Sequence, residues 1–242
     1  MTVNVVEHAV ITAEALWARR HVSLAPEPPG ERSGMAGSVD PAGAGGPGTP
    51  VRLVAVGDSL VAGCGVGDQA EALVPRIARL LAGSAGTPVQ WEAHGRLGAT
   101  MRRVRYRLLP EVAGTPDILF VCAGSNDIMA RRSRGEWVED LTVVLEQASR
   151  MARRVVLCSS GQPHRSPALP PLLRRELGRR VDAQTADFEQ VCRRLGVRFV
   201  DVAHAELIPG FWASDRFHPG AAGYEFAAGK VAEAMVARER AV

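Results

Sequence analysis

The run Val51-Arg52-Leu53-Val54-Ala55-Val56-Gly57-Asp58-Ser59-Leu60 decides the architecture. Residues 53–56 are continuously apolar. They do not alternate, so they suit a strand buried on both faces, as in a parallel sheet. The run stops abruptly at Gly57-Asp58-Ser59. In open α/β sheets ligands lie outside the carboxyl ends of the strands. Ser59 therefore stands where a nucleophile is wanted.

Working outward, further strand-like runs are expected near 89–93, 117–122, 155–158 and 197–202. Between them lie helical stretches near 70–81, 101–108, 137–150 and 172–195, and a last one near 221–238 that Pro219 is well placed to open. Strand and helix alternate from residue 51 onward. That pattern predicts an α/β fold with a parallel sheet and helices on both faces. The proline-rich loop 161–171 is long enough to wall a pocket, and the turn 64–67 and Phe211-Trp212 are expected to complete it.

The segment before residue 51 reads differently. Residues 3–20 carry helical periodicity, with Val6, Val10, Ala13 and Trp17 recurring at three- and four-residue steps. An amphipathic helix there has two readings: a brace packed on the domain, or a contact with a partner or with a second copy in a homodimer. Residues 22–50 are rich in Pro, Gly, Ala and Ser and read as a linker with little fixed structure. Within them Gly43-Ala44-Gly45-Gly46-Pro47-Gly48 matches G-x-G-x-x-G. It precedes a strand instead of following one, so the dinucleotide reading is rejected. The division expected is a helix 1–21, a linker 22–50 and a catalytic domain 51–242.

Composition excludes several classes. The chain has 242 residues, enough for one ample core, and is 46% hydrophobic with a formal charge of +3. Its basic residues are nearly all arginines scattered along helices, without the clustering of a nucleic-acid footprint. Arg102, Arg103, Arg105 and Arg107 read as a solvated helix face. No apolar run approaches the roughly 20 residues of a membrane span. The N-terminus has no basic n-region, and Glu7 and Glu14 interrupt its apolar stretch, so the compartment expected is the cytoplasm. Cys64, Cys122, Cys158 and Cys192 form no C-x-x-C pair. Cys122 and Cys158 read as small buried hydrophobes, and Cys64 is expected near the pocket.

A serine hydroxyl is a weak nucleophile until a base takes its proton. Histidine is the usual base, and a carboxylate on its other nitrogen fixes the tautomer and stabilises the imidazolium. Among six histidines, His218 is distinctive because it lies in Asp215-Arg216-Phe217-His218-Pro219. A carboxylate three residues earlier can fold back on the ring in a tight loop. Acyl transfer also needs donors aimed at the oxyanion. The backbone N–H groups of Ser59 and Gly98 and the side-chain amide of Asn126 lie at the ends of three successive strands. His94, His164 and His204 read as surface or core residues.

These blocks resemble the SGNH hydrolases, also called the GDSL family, over residues 51–238. Gly57-Asp58-Ser59-Leu60 matches the block that carries the nucleophile, and Gly98-Ala99-Thr100 the block of the oxyanion glycine. Gly124-Ser125-Asn126-Asp127 matches the block of the oxyanion asparagine, and Asp215 to Pro219 matches D-x-x-H-P. The stretch from Pro167 through Arg180 also resembles an actinobacterial subgroup with an N-terminal extension. The resemblance implies a flavodoxin-like three-layer α/β/α sandwich with a five-stranded parallel sheet. It also implies a triad of Ser59, His218 and Asp215, an oxyanion hole of Ser59, Gly98 and Asn126, and no metal or organic cofactor. An α/β-hydrolase is disfavoured, because no G-x-S-x-G elbow surrounds Ser59. The activity implied is hydrolysis of a small-molecule carboxylic ester through an acyl-enzyme. An acyltransferase using the same acyl-enzyme with an alcohol or amine acceptor, and a non-catalytic binding module, are the alternatives.

Overall fold

The computed structural model describes residues 5–37 and 49–237. The glycine-rich stretch 43–48, the start of the first helix and the end expected for the last helix at Arg238 lie outside the described residues. The chain runs α1 (Val5–His21), β1 (Ser33–Ala36), β2 (Val51–Gly57), α2 (Ser59–Ala62), α3 (Leu73–Ala85), β3 (Val89–Gly95), α4 (Met101–Arg103), β4 (Ile118–Cys122), α5 (Ser125–Met129), α6 (Arg134–Met151), β5 (Arg154–Cys158), α7 (Pro171–Leu195), β6 (Arg198–Val200) and α8 (Ala221–Val236). Each strand expected from the apolar runs is present. The helix expected at 101–108 begins as α4 and widens into a π turn at Val104–Leu108, then a 3₁₀ turn containing Pro110.

The sheet order is β1-β3-β2-β4-β5-β6. β3, β2, β4, β5 and β6 are parallel, and β1 pairs antiparallel with β3. The sheet is thus six-stranded and mixed, and its five parallel strands are those expected. The sixth comes from the segment expected to be a linker. Ser33–Ala36 has no strand-type pattern, and three of its four residues are exposed. Backbone hydrogen bonds to the open edge of β3 hold it there, and sequence periodicity does not register such bonds.

β2 shows why residues 53–56 lack alternation. Leu53 and Ala55 enter the core under α3 and α8, whereas Val54 and Val56 enter the opposite core under α6 and α7. All four are fully buried. Together the two cores and the sheet make three layers. From β2 the chain crosses to β3 on one side and then to β4 on the other. The strand order therefore reverses at β2, and a crevice opens beyond the carboxyl ends of β2 and β4, where such sheets bind ligands.

α1 packs outside the sandwich against α7, on a face other than the one expected. Ile11 and Ala18 are its buried residues, while Val6, Val10 and Trp17 are exposed. Two carboxylates on the packed side explain the inversion. Glu14 accepts a hydrogen bond from Leu173 N–H at the start of α7, at 2.5 Å, and Glu7 pairs with Arg175. Among the described residues no helix is long and apolar enough to cross a membrane.

Candidate active site

Close approach at the end of the sheet builds the serine's platform. A Cβ at Gly57 would lie 2.1 Å from Cys122 O, and one at Gly95 would lie 2.2 Å from Ala62 N. Only glycine lets the turn of α2 sit directly on the ends of β3 and β4. Asp58 N–H extends the ladder to Cys122 O at 3.0 Å, and the Asp58 carboxylate caps α2 by accepting from Leu60 N–H at 3.0 Å. Burial pushes the Asp58 carboxyl up to about 7; Leu60 N–H opposes the rise, and the charge of Asp127 adds to it. Ser59 is the first residue of α2, so its N–H has no partner within the helix.

The second strand end supplies the loop Arg96-Leu97-Gly98-Ala99-Thr100. Gly98 adopts φ +77°, and among the described residues no carbonyl accepts from its N–H. Leu97 N–H donates to Glu27 Oε1 at 2.7 Å. The other oxygen of Glu27 accepts from Arg32 at 2.7 Å and from Arg96 at 3.4 Å.

The third strand end ties this loop to α5. Asn126 Nδ2 donates one hydrogen to Ala99 O at 2.9 Å, and its second amide hydrogen remains for a ligand. Buried Asp127 accepts from Met101 N–H at 2.8 Å and from Arg132 at 2.9 Å. Burial raises its carboxyl, and those two donors work against the rise. Asp127 therefore locks the asparagine's helix to the start of α4.

The histidine comes from a turn clipped at its base by the bridge between Trp212 and Pro219. Ala213 N–H donates to His218 O at 2.8 Å, and Ser166 Oγ donates to Arg216 O at 2.7 Å, where Arg216 holds φ +57°. Asp215 Oδ1 accepts from the N–H groups of Phe217 and His218, each at 2.9 Å. Its Oδ2 meets His218 Nδ1 at 2.6 Å and accepts from Ala25 N–H at 2.9 Å. Burial works to raise this carboxyl, but the donors of Ala25, His218 and Phe217 outweigh it and hold it below the usual carboxylate range. The imidazole is 3% exposed and committed to Asp215 through Nδ1. Its Nε2 is left for another partner.

Ser59, Gly98, Asn126 and His218 line one cavity of about 120 Å³, with Asp215 behind the ring. Among the described residues no hydrogen bond joins Ser59 Oγ to the imidazole, whose side-chain partner is Asp215. Gly161, Gln162, Pro163, Phe211 and Trp212 form walls as expected. The turn 64–67 does not. It backs onto the histidine's loop instead: Tyr224 OH donates to Cys64 O at 2.7 Å, and a Cβ on Gly65 would meet His218 Cβ at 3.0 Å. Burial pushes the Cys64 thiol up to about 12, so it is no rival nucleophile at neutral pH.

Leu24, Ala25 and Glu27 were not expected at the site. Leu24 lines the cavity, Ala25 donates to Asp215, and Glu27 holds the Gly98 loop. The available signal was Pro26, Pro28 and Pro29, since closely spaced prolines make a chain stiff and extended. His204 pairs with Asp201 at 2.7 Å and Asp182 at 3.0 Å, away from the cavity, and His94 pairs with Glu92 at 2.7 Å. Among the described residues no group of three or more His, Cys, Asp or Glu is arranged to hold a metal ion.

The sequence profile of the GDSL-like Lipase/Acylhydrolase family matches residues 55–226. No curated protein is a significant sequence match. Among solved structures the fold is similar to that of LAE5, described as an alpha/beta hydrolase enzyme from the metagenome of Lake Arreo, Spain, with 20% identity and a TM-score of 0.62 over 76% of this chain and 94% of that one. It is also similar to Axe2, an acetylxylan esterase from Geobacillus stearothermophilus, with 20% identity and a TM-score of 0.61 over 80% of this chain and 99% of that one. A catalytic mutant of Axe2 aligns with a TM-score of 0.63 at 19% identity, over 79% of this chain and 96% of that one.

Proposed function

The chain belongs to the GDSL-like lipase and acylhydrolase family, and we propose that it is a serine esterase that cleaves a carboxylic ester through an acyl-enzyme on Ser59. The observation that carries this reading is the 2.6 Å contact between His218 Nδ1 and Asp215 Oδ2 in the wall of a cavity shared by Ser59, Gly98 and Asn126. A histidine fixed in this way presents Nε2 as the base.

Ser59 Oγ attacks the ester carbonyl while His218 Nε2 takes its proton. The negative charge that develops on the carbonyl oxygen meets Ser59 N–H, Gly98 N–H and the second amide hydrogen of Asn126. Each such donor is worth about 10²–10³ in turnover. His218 then protonates the departing alkoxide, leaving the acyl group on Ser59. Water enters, His218 removes its proton, and the acid leaves with Ser59 Oγ reprotonated. Asp215 keeps its charge throughout and holds the imidazolium. The low-lying carboxyl and its four donors support that role.

The test is turnover of a short-chain aryl ester, combined with labelling by a fluorophosphonate. Wild-type protein is expected to hydrolyse the ester and to be labelled on Ser59, and Ser59→Ala to do neither. Retained turnover in Ser59→Ala overturns the assignment. Adding an alcohol or amine acceptor at saturating concentration separates the two acyl-enzyme outcomes, and free acid is the product expected.

A further inference from the structure

The catalytic cavity opens beside Leu24, Met129 and Phe217. The same three side chains also line a second, larger concavity of about 530 Å³ between α1 and α7. Leu16 of α1 forms one wall of it, and Leu169, Leu173 and Leu177 form the other. Leu16, Leu24 and Met129 are 53%, 41% and 41% exposed. Isolated exposed apolar residues are ordinary. Here they stand together on one groove, whose lining also includes Arg19, Arg131, Glu176 and Arg180, and an apolar surface bordered by polar residues marks a binding site. One wall belongs to α1, outside the family-matched residues 55–226, so the groove is a feature of this chain's own extension.

We propose that the α1–α7 groove is the subsite for a linear aliphatic chain of the ester substrate. The chain would run from Ser59 past Leu24, Met129 and Phe217. This rests on the esterase reading of Ser59. The argument for a substrate chain over a docked protein is adjacency: the groove and the cavity that holds Ser59 share Leu24, Met129 and Phe217 in their walls, which puts the groove next to the scissile carbonyl's site. The chain can belong to the acyl side or to the alcohol side of the ester.

Two series distinguish those sides: aryl esters from acetyl to dodecanoyl, and alkyl acetates from ethyl to dodecyl. In one of them kcat/KM is expected to rise by up to about fourfold per added methylene until the groove is filled. Leu16→Glu places a charge on an exposed position of a surface helix, where folding tolerates it. It is expected to lower the ratio of dodecyl-chain to two-carbon kcat/KM at least tenfold in the responsive series, and Leu16→Met to restore it. Rates flat across both series, or a ratio unchanged by Leu16→Glu, overturn the proposal. So does a dimer that Leu16→Glu dissociates while leaving the ratio alone, since the groove is then a face between copies. Should no ester of any length be turned over, the esterase reading fails separately, and calorimetric binding of dodecanoate decides the groove. Binding to wild type that Leu16→Glu weakens at least tenfold supports it, and no binding overturns it.

Discussion

Replacing Glu27 with alanine removes a carboxylate that holds the loop of Gly98 from outside the family core. Its Oε1 accepts from Leu97 N–H at 2.7 Å, and its Oε2 pairs with Arg32 at 2.7 Å. The carboxylate is 20% exposed and Arg32 33%. Solvent screening therefore limits the ion pair to about 1 kcal/mol or less. The bond from Leu97 N–H to a charged acceptor is worth about 1.5–3 kcal/mol. A loss of about 2–3 kcal/mol is expected, a drop in Tm of about 4–12 °C for a domain of this size. The larger effect is kinetic. Outright loss of an oxyanion donor costs about 10²–10³, and with Gly98 N–H as the proposed donor, loosened but still present, a cost of about tenfold to hundredfold in kcat is expected. KM for a short aryl ester should move by about twofold at most, because the oxyanion forms only in the transition state. Glu27→Gln keeps the Oε1 acceptor and should recover most of kcat while keeping part of the loss in Tm. Steady-state kinetics beside thermal unfolding resolves the two effects. Glu27→Ala with a lowered Tm but wild-type kcat would refute the reasoning and leave Glu27 a structural anchor alone.

Asn126→Ala removes a proposed oxyanion donor and is expected to lower kcat by about 10²–10³ with little change in KM, read from steady-state ester hydrolysis. Asp215→Asn leaves His218 without its anionic partner and is expected to lower kcat by about 10⁴, with the protein still folded by circular dichroism. Because the Asp215 carboxyl lies below its unfolded value, its contribution to stability is present above the ordinary carboxylate range and lost as pH falls through the folded value. Wild-type urea midpoints should show that acid loss and Asp215→Asn should lack it. Asp58 behaves in the opposite sense. Its folded value of about 7 lies above the ordinary carboxylate value of 3.8, so its contribution is full below pH 4 and is lost as pH rises to 7. The loss is on the order of 4 kcal/mol. Asp58→Asn, which retains the cap on Leu60, should flatten the fall in urea midpoint between pH 4 and 7; an unchanged slope would place the titration elsewhere.

The parallel strands were legible because their burial is written in composition. Residues 53–56 face two cores and therefore cannot alternate, and residues 118–122 likewise. The blocks proposed to carry the chemistry stand out in the sequence because each is short and local, as when Asp215 bonds the backbone of residues only two and three positions on. What escaped notice depends on distant backbone. β1 is held by main-chain pairing to β3, and Ala25 reaches Asp215 through an N–H that any residue but proline carries. Helical periodicity located α1 but turned it the wrong way, because carboxylates on its packed side find specific partners on α7. The misjudged wall at 64–67 has a similar cause: an apolar, glycine-rich turn can serve as packing under a catalytic loop as readily as it can face a ligand.

β1 carries one more implication. Without it, β3 would end the sheet with a row of unsatisfied amides and carbonyls beside Trp91, whose ring now lies against Gly34. Bare borders of that kind recruit strands from other molecules. A chain trimmed back to residue 51 would keep every member of the proposed triad and yet be prone to precipitate, so the short antiparallel ribbon also guards the protein's solubility.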